Sequence, residues 1–571
     1  MNSIEQTNFN NKSETCINKV LCLGSGYVGV LSMSVFANYH SNIQFTLYDK
    51  SKSVTDKWND AGRYYKSTVN SNLENSDTNS SDSQDFKTKL PILENNFGEI
   101  FKKVFDKNLF FKDDLKEEVL TSDVIFICVN TPSTVRYKIK TNLSIEELQK
   151  EISQGVELNL TYVYSCIDEI CQVILDSDRA DLILKERIIV QKSTVTLNTL
   201  RILHNRVKDF YTKNSEKLKK VINSFNITEF NIDENNFDIE AFVSKYYRLV
   251  NIPEFLAEGS AMNNLINPDR VIIGYLRPDK KDVNTSYSRL AAETMKAFYT
   301  KWINTERIIE IDSNSSELIK LVSNAFLAQR ISSINSISQL CELSDSNINN
   351  LSIAVGMDQR IGKNYLKATM GFGGSCFKKD ILSLIFILNQ RNLTIEANYW
   401  MQVLVMNEYQ RLRIANLIKS SVSTDSNQSL SVSIFGLAFK GDIKDVRQSN
   451  AVFLISYLLE NDIEVHLFDD LVEENDLLNE LKLYQSVSDD VSNIKDVPNL
   501  RLYKDYKECA KQTKTLVFCT NHSIFRDMDL NELSNLMNET CCVFDLYDIF
   551  NLEQIEKTKF KIFKLGECNQ I

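Results

Sequence analysis

The sequence predicts an α/β protein in which two doubly wound units are joined by a long central helical domain. Three observations support this prediction. A strand, a Gly-x-Gly-x-x-Gly turn and a helix follow one another at residues 19–39. A helical stretch at 315–342 is apolar on more than one face, which is typical of a helix buried between layers or at a subunit contact. A second alternation of strands and helices begins at Val432 and has no such glycine pattern.

The first section has the order of a dinucleotide-binding unit. The apolar run Lys19–Leu23 predicts a strand, and Gly24 directly after it allows a tight turn. Gly26 lets a pyrophosphate approach the backbone, and Gly29 lets the following helix pack on the strand while its N-terminus offers N–H groups to phosphates. Asp49 ends the next strand, where a carboxylate accepts hydrogen bonds from ribose hydroxyls. We therefore predict a Rossmann-like unit that favours NAD over NADP.

Two further strands of this section end in polar turns. The strand at 123–129 leads into Asn130-Thr131-Pro132, and the strand at 187–191 leads into Lys192-Ser193-Thr194-Val195. Ligands of open parallel sheets bind beyond the carboxyl ends of the strands. The first turn is expected to border the cofactor, although an ordinary capped turn would also explain it.

Composition narrows the class of protein. A chain of 571 residues needs more than one core, and 43 % hydrophobic with 25 % charged residues is typical of soluble globular proteins. A net charge of −11 argues against a nucleic-acid or anionic-membrane partner. The polar N-terminus has no apolar signal segment, and no window is long enough to cross a membrane. The twelve scattered cysteines predict free thiols in the cytoplasm, and they and the four histidines predict no metal site.

Candidate catalytic chemistry is concentrated in Gly-Phe-Gly-Gly-Ser-Cys-Phe-Lys-Lys-Asp at 371–380. Glycines let the backbone pass close to a ligand, and Cys376 among them is a candidate nucleophile. Asp380, four residues later, would share a helix face with it. A loop with a buried thiol is the alternative. On the predicted central helix, Lys320 and Asn324 are four residues apart and can face one site, although such a lysine can also be a snorkelling surface residue.

Eight motifs occur in order over nearly the whole chain. They are GSGYVG at 24–29, NTP at 130–132, KSTV at 192–195, PEFLAEG at 253–259, NPDRVIIG at 267–274, ELIKLVSNAFLAQRISSIN at 317–335, GFGGSCFKKD at 371–380 and GLAFKGD at 436–442. Together they resemble the UDP-glucose 6-dehydrogenases of the UDP-glucose/GDP-mannose dehydrogenase family. MDQRIG at 357–362 is most similar to the eukaryotic form.

The resemblance implies an N-terminal NAD-binding domain, a central helical domain with the cysteine loop and a dimer contact, and a C-terminal UDP-sugar-binding domain. Their expected bounds are 1–312, 313–424 and 425–571. Three polar segments, at 67–84, 137–157 and 207–245, are predicted to be insertions in the first domain, and the first of these is expected to be exposed or disordered.

The resemblance also implies a reaction. UDP-glucose would be oxidised to UDP-glucuronate while two NAD⁺ are reduced. Cys376 would capture the C6 aldehyde as a thiohemiacetal, a second hydride transfer would leave a thioester, and water would hydrolyse it.

The same resemblance assigns catalytic roles to five other residues. Lys320, with Asn324 and a water molecule, would stabilise the developing oxyanion. Glu254 and Lys320 would share the proton transfers, Asp380 would help to activate the hydrolytic water, and Thr194 would position the water network.

The binding residues implied by the resemblance form two sets. Those for NAD are Gly24, Gly26, Tyr27, Val28, Gly29, Asp49, Asn130, Thr131, Pro132, Ser193, Thr194, Glu258, Lys379 and Arg447. Those for the UDP-sugar are Glu254, Phe255, Leu256, Lys320, Asn324, Arg360, Tyr365, Leu366, Lys367, Phe372, Gly373, Phe439 and Lys440. Arg360 would reach the substrate of a neighbouring subunit, which implies a homo-oligomer with a dimer as the minimal unit and a hexamer as a larger alternative.

Several positions depart from the eukaryotic pattern. Val54 stands where that pattern has an arginine near the adenosine ribose, and Tyr547 stands where it has a substrate-binding arginine. Such an arginine contact is commonly worth about 1.5–3 kcal/mol, so its loss would weaken binding rather than abolish the chemistry. The other departures are Gln191, Ile252, Leu93-Glu94-Asn95 and Asn521-His522.

Two alternative functions remain open on the sequence. A sister enzyme acting on another sugar, such as GDP-mannose or UDP-N-acetylmannosamine, would share the cysteine chemistry. A weakly active paralogue that binds a nucleotide sugar is favoured by the insertions and by Tyr547, but the complete catalytic set argues against it.

Overall fold

The computed structural model describes two compact units. The described residues are 16–72, 90–134, 141, 143–177, 179–224, 237–277, 286–422, 430–484, 486–511, 513–537 and 541–568. The first unit comprises the chain up to Pro132 and Asn159–Lys320. The second comprises Ser133–Leu158 and the chain from Leu321 onward. The segment 133–158 therefore packs with the second unit, although it follows a strand of the first.

The helices are numbered in chain order. They are α1 (Tyr27–Tyr39), α2 (Lys52–Asn72), α3 (Phe97–Val104), α4 (Leu115–Thr121), α5 (Ile145–Ile152), α6 (Thr161–Leu175), α7 (Ala180–Ile183), α8 (Thr199–Lys213), α9 (Ser215–Ser224), α10 (Ile239–Tyr246), α11 (Ala261–Ile266), α12 (Ser286–Tyr299), α13 (Ser313–Leu343), α14 (Ile348–Met357), α15 (Phe377–Asn389), α16 (Thr394–Val422), α17 (Asn450–Leu459), α18 (Glu474–Leu483), α19 (Tyr506–Ala510), α20 (Leu530–Leu536) and α21 (Leu552–Glu556).

The first unit is built on one sheet. Its strands are β1 (Lys19–Leu23), β2 (Gln44–Tyr48), β3 (Leu109–Phe111), β4 (Val124–Ile127), β5 (Arg187–Gln191), β6 (Tyr247–Asn251), β7 (Val271–Tyr275) and β8 (Ile308–Asp312). Their spatial order is β3-β2-β1-β4-β5-β6-β7-β8. The first six strands have the order of a dinucleotide-binding sheet. Strands β4 and β5 are buried along their whole length, which explains their continuous apolar sequences.

One pair in this sheet differs from the repeated parallel pattern. Strand β7 runs antiparallel to β6, whereas the other neighbouring pairs among the described strands are parallel. The helix between them, α11, has six residues and therefore rises about 9 Å. Parallel crossovers commonly contain a helix that spans the length of the strands, about 16 Å here, and α11 is shorter than that.

The second unit contains the other sheet. Its strands are β9 (Ser431–Phe435), β10 (Glu464–Phe468), β11 (Leu500–Tyr503), β12 (Thr515–Phe518), β13 (Cys542–Asp545) and β14 (Lys561–Lys564). All neighbouring pairs are parallel, in the order β11-β10-β9-β12-β13-β14. This order repeats that of the first six strands of the first unit. The predicted second α/β section is confirmed.

Long helices of the second unit surround the cysteine loop. α13 has 31 residues and α16 has 29, so each is more than 40 Å long at about 1.5 Å per residue. Buried apolar side chains of α5, α13, α15, α16 and the loop before α15 form one cluster. Ile152, Ala325, Phe372, Ile385 and Leu404 are members of it. The predicted helices at 315–342 and 396–417 are confirmed and extend slightly further.

The three predicted insertions are described only in part. Residues 73–84, 137–140, 142 and 225–236 of these segments lie outside the described residues. Within the described part, 67–72 completes α2 and 145–152 forms α5. Helices α8, α9 and α10 cover most of the rest of 207–245, and they bury Tyr211, Leu218 and Phe242.

Across the ranges that the structure describes, no helix combines the length and the apolar character that crossing a bilayer would require.

Candidate active site

The glycine turn of the first unit has the geometry of a phosphate-binding loop. Gly24 has φ +105°, and a Cβ on it would lie 2.6 Å from the carbonyl oxygen of Cys128. Glycine is therefore required there. Helix α1 begins directly afterwards at Tyr27, with no side chain capping its first turn and no acidic residue within it. Its N–H groups and dipole can thus serve an anion.

Asp49 is held against this turn. One of its carboxylate oxygens accepts a hydrogen bond from the backbone N–H of Ser25 at 3.0 Å, and the other accepts one from Ser51 at 3.0 Å. The buried indole of Trp58 donates to the carbonyl of Ser25 at 3.0 Å from the other side. The acid that the sequence predicts for ribose binding is therefore fixed beside the phosphate turn. Val54, where an arginine was expected, packs against the apolar core instead.

The two polar turns after β4 and β5 are joined. The Ser193 hydroxyl donates to the carbonyl of Val129 at 2.7 Å, and the backbone N–H of Ser193 donates to Ile127 at 3.1 Å. Thr131 is buried and Thr194 is half-buried, whereas Asn130 is exposed. The Ser193 hydroxyl thus donates its proton to a protein carbonyl, and its oxygen can still accept a hydrogen bond.

These residues fit a dinucleotide. A Cβ on Gly26 would meet no protein atom within 4 Å, so this face of the turn is open where a pyrophosphate has to approach. The glycine turn lies at the carboxyl edge of the sheet, at the switch between β1 and β4. Asp49 at the end of β2 and the turns 130–132 and 192–195 at the ends of β4 and β5 line the same edge.

Glu254 is tied by both of its oxygens. Its Oε2 lies 2.6 Å from Nζ of Lys192, and its Oε1 accepts a hydrogen bond from the backbone N–H of Phe255 at 2.9 Å. Lys192 is 4 % exposed. Burial alone would lower the pKa of its ammonium, but the Glu254 carboxylate and the neighbouring Tyr299 raise that pKa above its ordinary value. The pair is therefore a buried salt bridge.

Two further cations lie over the ring of Phe255, the residue that follows Glu254. The Arg270 guanidinium lies 4.5 Å and the Lys320 ammonium 5.6 Å from the ring centre, both within cation–π range. Lys192, Glu254, Phe255, Arg270 and Tyr299 line one cavity of the first unit. Leu256 and Glu258 are half-buried in the loop that follows.

Two carboxylates that position this loop and its neighbours had no predicted role. Glu94 accepts hydrogen bonds from the backbone N–H groups of Gly259 and Ala261, the latter at 3.0 Å, and from the Tyr27 hydroxyl. It therefore ties the loop after Glu258 to the first turn of α1. Nothing in the sequence near Glu94 links it to position 259, because the two residues are 165 positions apart.

Glu317 is the other. It lies on α13 and accepts from the backbone N–H groups of Thr199 at 3.2 Å and Leu200 at 2.6 Å, at the start of α8. Burial raises the pKa of this carboxyl to about 7, against the lowering effect of those N–H groups. The turn that contains Thr194 and the helix turn that contains Lys320 are thereby connected.

In the second unit, Cys376 is the residue immediately before α15. It is exposed, and its carbonyl accepts the first helical hydrogen bond, from Asp380 at 2.9 Å. The alternative of a buried thiol is excluded. An exposed sulfur at the start of a helix can be reached by a substrate, and the helix dipole there favours negative charge.

Asp380 is 1 % exposed and lies between two polar partners. The Lys379 ammonium is 2.6 Å from its Oδ1, and the Asn324 amide donates to its Oδ2 at 2.6 Å. The structure thus brings Asn324 of α13 against Lys379 and Asp380 in the first turn of α15, which follows Cys376. Each carboxylate oxygen keeps a lone pair for a water molecule.

The cysteine loop is fixed from behind by a buried polar network that the sequence did not predict. The Arg411 guanidinium, 2 % exposed, donates to the carbonyls of Phe372 at 2.7 Å and Gln448 at 2.8 Å. It also donates to the Asn450 side chain at 2.8 Å, and the Asn450 amide donates to the carbonyl of Gly371 at 2.7 Å. Asn407 accepts from the backbone N–H of Phe372 at 2.8 Å.

The expected UDP-sugar residues of this unit form two groups. Gly373 packs so closely that a Cβ would lie 2.7 Å from the carbonyl of Gln448 and 3.0 Å from Cβ of Phe439. Lys440, exposed, follows Phe439 in the same loop. The other group is the segment 365–367, in which Tyr365 is exposed, Leu366 is buried and Lys367 donates to the carbonyl of Tyr547 at 2.5 Å.

Two expected arginines are engaged on the surface. The Arg360 side chain is 88 % exposed and lies 2.6 Å from Asp358, two residues before it. Arg447 lies 2.5 Å from Asp445 in the same arrangement, and its carbonyl accepts from the backbone N–H of Gly374 at 3.0 Å. The Arg360 guanidinium, which is largely exposed, has further donors for a ligand.

Tyr547 does not take the place of the expected arginine functionally. Its side chain is half-buried and lies beside Asn450, whose amide donates to the carbonyl of Gly371. Burial raises the pKa of its hydroxyl to about 12, so the group is neutral in ordinary buffers. Tyr547 thus belongs to the network behind the cysteine loop and offers no positive charge.

One cluster at the end of the second sheet was also unpredicted. His522 lies 2.7 Å from Asp470 through Nε2 and 2.7 Å from Asp442 through Nδ1. Asp469, Asp470 and His522 each offer one atom that could bind a metal ion, and these atoms lie within 4.8 Å of one another. Although burial lowers the pKa of His522, the surrounding carboxylates raise it overall, which favours an imidazolium inside an ion-pair cluster.

Sequence profiles of one known family match three successive stretches of the chain. The NAD binding domain of the UDP-glucose/GDP-mannose dehydrogenase family matches residues 76–303, its central domain matches 314–409, and its UDP binding domain matches 433–552. The chain belongs to this family. It is a family of NAD-dependent nucleotide-sugar dehydrogenases, and NAD is the cofactor of this member.

Curated relatives and solved structures agree with the family assignment. The UDP-glucose 6-dehydrogenase of Drosophila melanogaster is 32 % identical over 97 % of this chain and 97 % of its own length. That of Pongo abelii is 32 % identical over 93 % of this chain and 88 % of its own length. A UDP-glucose dehydrogenase from Pyrobaculum islandicum has the same fold, with a TM-score of 0.67 at 21 % identity over 98 % of this chain and 99 % of its own.

The open face at Gly26 yields a prediction. Gly26→Ala should fold as the wild type does, because the added methyl meets no protein atom within 4 Å. It should nevertheless weaken NADH binding about tenfold or more, because the methyl occupies the space of the pyrophosphate. Thermal unfolding and NADH fluorescence titration measure the two effects.

The matched control is Gly29→Ala, in which the new Cβ would lie 2.2 Å from the carbonyl of Gly24. This variant should lose stability as well as affinity. Unchanged NADH affinity in a well-folded Gly26→Ala protein would contradict the proposed position of the cofactor.

Proposed function

We propose that the protein oxidises UDP-glucose to UDP-glucuronate with two equivalents of NAD⁺. The observation that carries the proposal is the exposed Cys376 at the start of α15, one turn from the buried Asp380 with Lys379 and Asn324. A thiol in such surroundings suits covalent capture of an aldehyde followed by hydrolysis. Relatives that carry the name UDP-glucose 6-dehydrogenase support the choice of substrate.

The chemistry requires four electrons and one covalent intermediate on the protein. Bound NAD⁺ supplies the hydride acceptor, once for the alcohol and once for the captured aldehyde. The Cys376 sulfur adds to C6 of the aldehyde and gives a thiohemiacetal. Loss of a hydride from C6 and of the hydroxyl proton leaves a thioester, which water cleaves to a carboxylate and the free thiol. No free aldehyde needs to leave the enzyme.

The remaining residues move protons and stabilise charge. Glu254 and Lys320 share the proton transfers, and Lys320 with Asn324 stabilises the oxyanion. Asp380 accepts a proton from the hydrolytic water, and Thr194 orders the water network. The close contacts of Asp380 with Lys379 and Asn324 support a fixed orientation of this carboxyl group.

We assign the binding residues to cofactor and sugar nucleotide in the same way. The residues of the glycine turn, Asp49, the turn 130–132, Ser193 and Thr194 bind NAD, and Glu258, Lys379 and Arg447 are assigned to it as well. The loops 254–256, 365–367, 372–373 and 439–440, with Arg360, bind the UDP-sugar. In domain terms, 1–312 binds NAD, 313–424 is the central helical domain and 425–571 binds UDP. We further propose that the protein works in the cytoplasm, which its twelve free cysteines favour.

A stoichiometry measurement tests the function. Purified protein with excess NAD⁺ and limiting UDP-glucose should form two NADH for each UDP-glucose consumed. The NADH absorbance is read when the reaction has ended, and the UDP-glucuronate formed is quantified in the same sample. GDP-mannose and UDP-N-acetylmannosamine are the comparison substrates. Turnover with one of these and none with UDP-glucose would reassign the substrate, and tight binding of UDP-glucose without NADH would indicate a non-catalytic binding protein.

Substitution of the nucleophile tests the covalent step. Cys376→Ser should lower net turnover by about 10³-fold or more, because an oxygen ester forms and hydrolyses less readily than a thioester. Mass spectrometry of the protein after substrate addition should show no thioester. Ser375→Ala, which removes a neighbouring hydroxyl, is the control and should retain most of the activity. A fully active Cys376→Ser enzyme would rule out the mechanism.

We also propose that the protein forms a homodimer through the central helices. On the second unit, the Phe326 ring is 55 % exposed and contacts Trp400, which in turn contacts Tyr399, itself 55 % exposed. Ile395, 83 % exposed, lies one helical turn before Tyr399 on α16. A continuous apolar surface of this kind is typical of a protein–protein contact, and a second copy is the occupant that we propose.

The dimer can be tested with one charge. Phe326→Glu should convert the dimer to monomers at micromolar concentration, because a carboxylate buried in an apolar contact lacks a partner. Light scattering coupled to gel filtration measures the mass. Ile202→Glu, on the first unit and 42 % exposed, is the control and should leave the mass unchanged. A dimeric Phe326→Glu variant, or a monomeric wild type, would contradict this surface.

A further inference from the structure

We propose that Lys192 is a positioning residue for the reaction, because its buried ammonium pairs with the Glu254 carboxylate and holds it in a single orientation. The inference rests on the proposed function and adds to it a residue that no catalytic or binding role has included. It concerns groups of the first unit alone.

The position of Lys192 is the first reason. It follows β5 directly and begins the turn that contains Ser193 and Thr194. Glu254 follows β6, the neighbouring parallel strand, in which Gln191 pairs with Asn251. The backbone N–H of Ile252 donates to the carbonyl of Gln191 at 2.9 Å. The salt bridge therefore connects the carboxyl ends of two adjacent strands at the point where both enter the cofactor edge of the sheet.

The surroundings of the ammonium are the second reason. Glu254 is the one carboxylate among the described groups that act on Lys192; the others are the Tyr299 hydroxyl on α12 and the thiol of Cys128 after β4. Lys192 in turn acts on the thiol of Cys22 on β1. The ring of Phe36 on α1 lies 6.0 Å from its Nζ. A buried ammonium in this setting needs the Glu254 charge, and the carboxylate is stabilised by the ammonium in return.

The hydrogen bonds of Glu254 are the third reason. Lys192 occupies Oε2 at 2.6 Å, and the backbone N–H of Phe255 occupies Oε1 at 2.9 Å. A carboxylate has about four acceptor positions, so about two remain for a water molecule or a substrate hydroxyl. The group is thus fixed at both oxygens and can still take part in a proton transfer.

The chemical consequence concerns the oxidation of the alcohol. When a hydride leaves C6, the hydroxyl proton has to leave as well, and an ionised carboxylate is the form that can accept it or stabilise the lysine that does. The ammonium of Lys192 lies 2.6 Å from Oε2 of Glu254 and compensates its negative charge. Its role is therefore to position another residue, without contact to the substrate.

The test is Lys192→Met, which keeps the length of the side chain and removes its charge. We expect kcat to fall about 10²-fold with KM for UDP-glucose changed less than about threefold, and the acid limb of the kcat profile to move to higher pH. A carboxylate without the ammonium beside it takes up a proton more readily. The control is Lys296→Met, which removes another lysine of the same unit, 2.6 Å from Glu310, and should keep kcat within about twofold.

A double-mutant cycle separates positioning from general destabilisation. If Lys192 acts through Glu254, then adding Lys192→Met to Glu254→Gln should cost less than about twofold further in kcat. This comparison also serves if the single Lys192→Met protein does not fold, because the double variant carries neither buried charge. A further loss of tenfold or more in the double variant would overturn the proposal. So would a folded Lys192→Met enzyme with wild-type kcat and an unchanged pH profile.

Infrared difference spectroscopy gives a readout that needs no turnover. The carboxylate band that disappears in Glu254→Gln should be replaced by a carboxylic-acid band at higher pH in Lys192→Met than in the wild type. An identical titration of that band in both proteins would refute the proposal. If the wild type forms no NADH from UDP-glucose, the proposed function fails, and the infrared result still decides the role of Lys192.

Discussion

The buried guanidinium of Arg411 is the interaction on which the catalytic loop depends. A flexible run of glycines does not by itself hold a nucleophile in one position, because glycine loses more backbone entropy on ordering than any other residue. Arg411 offsets this cost with hydrogen bonds to Phe372, Gln448 and Asn450. Asn450 begins α17, so the loop before Cys376 is fixed to the first helix of the second sheet. Loss of the guanidinium would remove the hydrogen bonds to the Gln448 carbonyl and the Asn450 side-chain oxygen, and would leave the Phe372 carbonyl with only the bond from Asn407 at 3.3 Å.

The same principle applies to the carboxylates that the reaction uses. Glu254 and Asp380 each have a lysine ammonium at 2.6 Å, from Lys192 and Lys379 respectively. In both cases the lysine is close in sequence to a residue with an expected role of its own, Thr194 or Cys376. Each unit therefore sets the charge of its own acidic group locally. Ionised carboxylates that are paired and hydrogen-bonded keep a defined geometry in a buried setting.

The sequence predicted the parts of the protein whose signals are local. The glycine turn with Asp49, the strand ends and the helix after Cys376 follow from residues a few positions apart, and their geometry is confirmed. The sequence did not predict contacts between residues that are far apart in the chain. Glu94 meets Gly259 across 165 positions, and Asn450 meets Gly371 across 79. No periodicity or spacing encodes such pairs, and the antiparallel β7 likewise depends on how far a short helix can carry the chain.

The surroundings of Tyr547 decide what an arginine at this position would do. Tyr547 lies beside Asn450, which donates to the carbonyl of Gly371, and its hydroxyl is close enough to the buried Arg411 to feel its charge. An arginine at position 547 would add a second cation there, and two cations that share a poorly solvated region repel each other. The effect of Tyr547→Arg therefore depends on the residues at positions 411 and 450, so the three positions are epistatic.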